Sequence, residues 1–185
     1  MRGRNEAGEY QGLQRCGDKD CEGGHPEQVG SVVLHILEDN LLCSVATVAP
    51  EGRAHVNTAY FCYSDDLELF FLSHPTAVHS QNVSRNASMA MTVFSSSQQC
   101  VGPDRGIQLF GTCSEAKGPH ATQAEELYRQ RFSPYASWKA SRQEQDLARE
   151  YGFYRFVVRR LKILDEANFG EAVFVSADVQ RHIGG

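Results

Sequence analysis

Between residues 41 and 95 the chain runs in short apolar stretches broken by polar turns. Leu41 to Val48 is rich in β-branched and apolar residues and reads as a strand. Pro50-Glu51-Gly52 supplies a turn, with Gly52 suited to a positive φ. His55 to Tyr63 reads as the second strand, Ser64-Asp65-Asp66 as the next turn, and Leu67 to Leu72 as the third strand. Connections this short favour antiparallel neighbours, so the three strands form a meander. The second strand is apolar on both faces, with Val56, Tyr60 and Cys62 on one and Ala59, Phe61 and Tyr63 on the other. That pattern suits a barrel with a packed interior and helices or a partner outside.

The flanking segments change period. Val29, Val32, Val33, Ile36 and Leu37 follow helical spacing, with Pro26 placed to start the helix and Asp39-Asn40 to end it. Ser88 to Ser95 alternates as a fourth strand, and Ser96 to Arg105 is a polar, turn-rich loop. Gly106 to Ser114 is the fifth strand, and Gly111 within it marks a bulge or a close backbone approach. After Gly118-Pro119, the residues Ala121, Ala124, Tyr128 and Phe132 share a helical face. Ser133-Pro134 opens a further helical region reaching to Glu150. Tyr151 to Leu164 is a long strand whose apolar residues interleave with Arg155, Arg159, Arg160 and Lys162. That basic run is either a solvated face or a contact for an anion. Asp165 to Gly170 reads as a turn and Ala172 to Ser176 as the last strand. Six to seven antiparallel strands with flanking helices, not alternating regularly with them, predict a mainly β (α+β) fold of the split β-barrel kind.

Composition narrows the class. The 185 residues are 41% hydrophobic and 22% charged, which suits one globular domain. Residues 1–25 are polar and Gly-rich and read as a flexible tail, leaving 26–180 as the domain. Cys16, Cys21 and His25 in that tail offer only three ligands, too few for a structural metal site, and no metal is expected. The net charge of −5 argues against a nucleic-acid partner. No run of eighteen apolar residues and no signal-like segment appears, so the expectation is a cytoplasmic protein without a membrane anchor, its six cysteines present as thiols.

Candidate chemistry sits after the third strand. Thr76 reads as the N-cap of a helix ending near Asn86. The free amides and partial positive charge of a helix N-terminus suit a phosphate, and Ser73, Thr76, Ser80 and His79 add donors, His79 being the one side chain there able to carry positive charge. The same residues also describe an ordinary capped helix with no ligand. His55 and His74 are candidate proton shuttles only because they are imidazoles.

Several of these stretches resemble one family. The run Val45 to Val56 resembles the first hairpin of the pyridoxamine 5'-phosphate oxidase-like, FMN-binding split barrels. Leu72 to Asn86 corresponds to the segment with which that family grips the FMN phosphate. Patterns of a small branch of the superfamily are similar to His79-Ser80-Gln81, to Gly106-Ile107-Gln108-Leu109-Phe110-Gly111, to Tyr128-Arg129-Gln130-Arg131-Phe132 and to Phe169-Gly170. The resemblance implies a homodimer with flavin at the subunit interface. It places Val56, Asn57 and Thr58 at the isoalloxazine, Phe71, Leu72, Ser73, His79, Ser80 and Gln81 at the ribityl phosphate, with Thr76 at the same helix start, and Gln108 facing the flavin. Relatives carry Arg or Lys near Val78 and His79, whereas this chain has Val78. The implied activity is an FMN-dependent oxidoreductase acting on an unidentified small molecule. The alternatives are a non-catalytic flavin- or haem-binding module and a deazaflavin-dependent reductase.

Overall fold

The computed structural model describes residues 13–15, 26–143 and 151–180. The strands are β1 (Leu13–Arg15), β2 (Leu42–Val48), β3 (Ala54–Tyr63), β4 (Glu68–Ser73), β5 (Ser88–Phe94), β6 (Arg105–Glu115), β7 (Gly152–Asp165) and β8 (Phe174–Val179). The helices are α1 (Pro26–Asp39), α2 (Val78–Arg85), α3 (Pro119–Arg131), α4 (Tyr135–Gln143) and α5 (Glu166–Phe169). The sheet order is β1-β8-β7-β4-β3-β2-β5-β6, and a further β7–β6 pairing closes six strands into an antiparallel split barrel. By contact density the chain forms two compact units, one from Leu41–Met91 and Gly111–Val158, the other from Met1–Asn40, Thr92–Phe110 and Arg159–Gly185.

The unit containing β2, β3 and β4 is built on aromatic pairs. The β3–β4 register sets Phe61 against Phe71, and the β4–β7 register sets Phe71 against Tyr154. The Phe71 and Tyr154 rings stack with centroids 5.6 Å apart. Nearly every residue of β4 is buried, because the strand is covered on both faces. One face looks into the barrel. The other carries Phe70 into a cluster with Cys62, Phe153 and, from α3, Ala124 and Tyr128, against which Leu72 packs. Glu68, also buried, accepts a forked pair of hydrogen bonds from the Arg155 guanidinium, with Nε at 2.8 Å. Arg155 is thereby an internal partner rather than part of a solvated basic face.

Gly111 bears out the close approach read from the sequence. A Cβ there would lie 2.0 Å from the Val157 carbonyl oxygen, so only glycine lets the two backbones pass at this distance.

In the other unit, α1 buries Val29, Val32, Val33, Ile36 and Leu37, as its periodicity implies. Asn40 donates to the Ile36 carbonyl at 2.7 Å, and Arg105 bridges to Asp39 at 2.6 Å, which together finish the helix. β7 pairs with β8 from Arg160↔Asp178 to Leu164↔Phe174. The Lys162 ammonium lies 4.2 Å from the centre of the Phe174 ring.

Four boundaries differ from the sequence reading. Leu67 adopts φ 54 and belongs to the turn, so β4 begins at Glu68. The Asp165–Gly170 turn contains the four-residue helix α5, capped by the Asp165 carboxylate accepting from Asn168 N at 3.1 Å. Ala172 at φ 55 delays the last strand to Phe174. Leu13–Arg15, inside the stretch expected to be a tail, pairs antiparallel with β8; Cys16, Cys21 and His25 lie outside the described residues. Cys43, Cys62, Cys100 and Cys113 are free thiols. Burial pushes Cys43, Cys62 and Cys113 up to about 12 and leaves them unreactive.

Gly111→Ala is expected to destabilise the fold by about 2 kcal/mol or more, because backbone rather than a flexible side chain blocks the new methyl. That corresponds to a fall of roughly 4–8 °C in Tm for a chain of this size. Gly106→Ala, whose Cβ would meet Phe94 Cβ at 3.3 Å, is the milder comparison. Thermal unfolding of both variants by circular dichroism checks the difference.

Candidate functional site

The eight-residue helix α2 has an unusual buried face for so small an element. Its interior residues are His79, Ser80, Asn82 and Val83, three of them polar. Each polar one has a partner. The Ser73 hydroxyl, at the end of β4, lies 2.7 Å from His79 Nε2 and 3.0 Å from Ser80 Oγ. Asn82 donates to the Thr47 hydroxyl of β2 at 3.0 Å. The His79 ring stands 6.1 Å from Phe71 and stacks at 6.4 Å on His55 of β3, with planes 14° apart. The β2–β3 register puts Thr47 opposite His55, so one pair of cross-strand neighbours underlies the Asn82 hydrogen bond and the His79 stack.

Burial pushes His79 below the ordinary imidazole pKa, and the nearby positive charge of a protonated His55 pushes it further. His79, 8% exposed, is therefore neutral at pH 7. The sequence reading gave it the positive charge at the phosphate. Its environment gives it the role of a buried wedge instead, because an imidazolium there would be desolvated and would face a second imidazole. The N-cap also differs. It is Ala77, with no side-chain bond, and Thr76 pairs with His74 Nδ1 at 2.7 Å. The first intrahelical bond runs from Gln81 N to Ala77 O, so the amides of Val78, His79 and Ser80 precede it.

The residues expected at a ligand separate accordingly. Phe71, Ser73, His79 and Ser80 come together in the interior. Thr76 and Gln81 are exposed at the start of α2. Leu72 points to the opposite face of β4, against the α3 cluster. The pleat of β3 sends Val56 and Thr58 to its exposed face and the half-buried Asn57 to the other. Gln108 is exposed on β6, in the other unit. Tyr154, read in the sequence only as a neighbour of basic residues, stacks beneath this cluster; burial raises its phenol pKa. Its inward direction was legible from alternation along β7, but its place beside Phe71 required the strand order.

A sequence profile described as pyridoxamine 5'-phosphate oxidase matches residues 32–163. The chain belongs to this family. The match includes β2, β3, β4 and the whole of α2, and it agrees with the resemblance read from the hairpin and the strand-to-helix segment. No curated protein matches the chain at a significant level. Among solved structures, a conserved hypothetical protein from Mycobacterium tuberculosis aligns with TM-score 0.63 at 16% identity, over 91% of this chain and 96% of that one. A heme binding protein from Mycobacterium smegmatis aligns with TM-score 0.60 at 12% identity, over 78% of this chain. This family member spans 55% of that protein's length. A FAD-binding protein from Mesorhizobium loti aligns with TM-score 0.55 at 17% identity, over 79% of this chain and 91% of that one. At these identities the likeness is one of fold. No helix among the described residues is long and apolar enough to cross a membrane, and no metal-ligating cluster occurs among them.

The lowered pKa of His79 has a definite sign in stability. Above about pH 6.5 both folded and unfolded chains hold it neutral, and its contribution is complete. As pH falls below that value the unfolded chain takes up a proton that the folded chain resists, so stability declines until the folded-state titration is reached. His79→Gln, which keeps hydrogen-bonding capacity without titrating, is expected to lose less stability between pH 7.5 and 5.5 than the parent. Urea midpoints at the two pH values measure this; equal losses would mean that His79 is not held neutral.

Proposed function

We propose that this chain binds FMN with the phosphate at the start of α2 and acts as an FMN-dependent oxidoreductase on a small molecule. The carrying observation is the first turn of α2. Its cap is Ala77, which offers no side-chain hydrogen bond to the leading amides, and the helix is fastened to the strands by Ser73 and, through Asn82, by Thr47. Those amides, the exposed Thr76 hydroxyl and the Gln81 carboxamide suit a phosphate ester. They do so as neutral dipoles, since Val78 replaces the cation that relatives carry. His55 stacks on His79 of this helix, and Asn57 shares its side of β3; both are available to the flavin ring system. A bound flavin supplies hydride and electron transfer. The chain's part is to fix the phosphate, orient the ring and exclude water.

The same reading includes a homodimer. Val56 is 65% exposed and Tyr60 53% exposed on the outer face of β3, next to the exposed Leu42 of β2. This apolar strip favours burial against a second copy, and obligate interfaces of this kind bury on the order of 2,000 Å² or more. A second reading, a haem-binding module, is favoured by the neighbour described as a heme binding protein. A deazaflavin coenzyme remains the third.

The absorption spectrum of the purified protein after addition of FMN, haem or deazaflavin distinguishes the three. FMN is expected to bind at least about tenfold more tightly than riboflavin, since charge-assisted hydrogen bonds contribute about 1.5–3 kcal/mol. Equal affinities would remove the phosphate from α2. Anaerobic reduction of bound flavin by a nicotinamide donor tests turnover. Light scattering is expected to give a dimer at micromolar concentration, and Tyr60→Arg to give a monomer; a monomeric parent protein would overturn the dimer.

A further inference from the structure

The stacked His55–His79 pair brings two titratable rings together with unequal surroundings. His79 is buried, and its Nε2 is held by the Ser73 hydroxyl at 2.7 Å. Ser80 Oγ approaches the same Ser73 oxygen at 3.0 Å. The Ser73 hydroxyl also reaches the His74 carbonyl at 3.4 Å, so this set is satisfied with the His79 proton on either ring nitrogen and holds the ring without a charge. His55 is half-buried on the rim of β3 and forms the open side of the stack. Two imidazolium ions at a centroid separation of 6.4 Å repel, so the pair favours a single proton.

We propose that His55, the more exposed ring of the stack, is the cation of the candidate site, with His79 held beneath it uncharged. The proposal deepens the phosphate reading above and rests on it for the identity of the anion. It supplies the positive charge that the Val78 position lacks, from a different strand. The other groups facing the pair do not compete for this role. β2 contributes Thr47, which is uncharged. β4 contributes Ser73 and, at its end, His74, whose Nδ1 is bonded to Thr76. β7 contributes Tyr154, whose phenol burial keeps protonated. Behind Tyr154, Glu115 and Lys117 pair with each other at 3.1 Å. On β3's own approach, Arg53 pairs with Glu51 at 3.3 Å. The lowered pKa of His79 accords with this division of roles.

The test has two arms. In the first, side-chain nitrogen NMR follows both histidines of the protein without added ligand between about pH 8 and 5, a range around the unperturbed imidazole pKa of roughly 6.5. His55 is expected to take up the proton while His79 keeps the shifts of an uncharged ring. Titration of His79 before His55 would overturn the proposal. In the second arm, FMN and riboflavin are titrated at pH 8 and pH 6. FMN affinity is expected to rise severalfold on acidification in the parent and in His79→Gln, and to stay flat in His55→Gln. Retention of the rise in His55→Gln would overturn the assignment. Failure of FMN to bind under any condition would defeat the flavin reading, while the first arm would still decide which ring holds the proton.

Discussion

The polar seat of α2 is the constraint on which the rest of the site depends. A helix of eight residues has no independent stability in water, so it exists because the strands hold it. Here the strands hold it mainly through hydrogen bonds, from Ser73 to His79 and Ser80 and between Asn82 and Thr47, with Val83 as the apolar member. Buried hydrogen bonds are directional, and each unmet partner costs about 1–3 kcal/mol. The helix is therefore fixed in rotation as well as position, and its leading amides point in one direction.

This seat makes demands on the sheet. Thr47 and His55 must be cross-strand neighbours, and Ser73 must end the next strand, so the β2–β3 and β3–β4 registers cannot slip by one residue without turning these groups to the wrong face. Apolar packing holds the registers. Phe61, Phe71 and Tyr154 follow one another across three strands on the inner face, and the α3 cluster covers the outer face of β4. Gly111 lets β6 approach β7 closely enough to complete the ring of strands.

The family fold occurs in proteins described as heme binding and as FAD-binding, so architecture alone does not choose a ligand. The choice rests on the donors. On the proposed reading, a helix start of uncapped amides with neutral hydroxyl and carboxamide neighbours receives a phosphate. Its charge balance is then assigned to His55, the more exposed ring of the stacked pair. In such a site anion binding and proton binding are linked, because a proton placed next to the anion stabilises both.

Much of this was legible in the amino-acid sequence, because it depends on local order. Apolar, β-branched runs between turn residues gave β2 and β3, alternation gave β5, period 3.6 gave α1 and α3, and a glycine inside a strand announced a close backbone approach at Gly111. The hairpin and the strand-to-helix segment were enough to suggest the family. Local order also misled where a short-range competitor acted: Thr76 looked like a cap, but His74, two residues back, takes its hydroxyl. What only the tertiary structure decided was which residues from distant strands meet. Arg155 looked like part of a basic surface until Glu68, 87 positions away, accepted its guanidinium. His79 looked like the cation of the site until burial and the ring of His55 removed its charge. A side chain's ionisation depends on its solvent exposure and on charges brought near by folding, and neither is encoded in its neighbours along the chain.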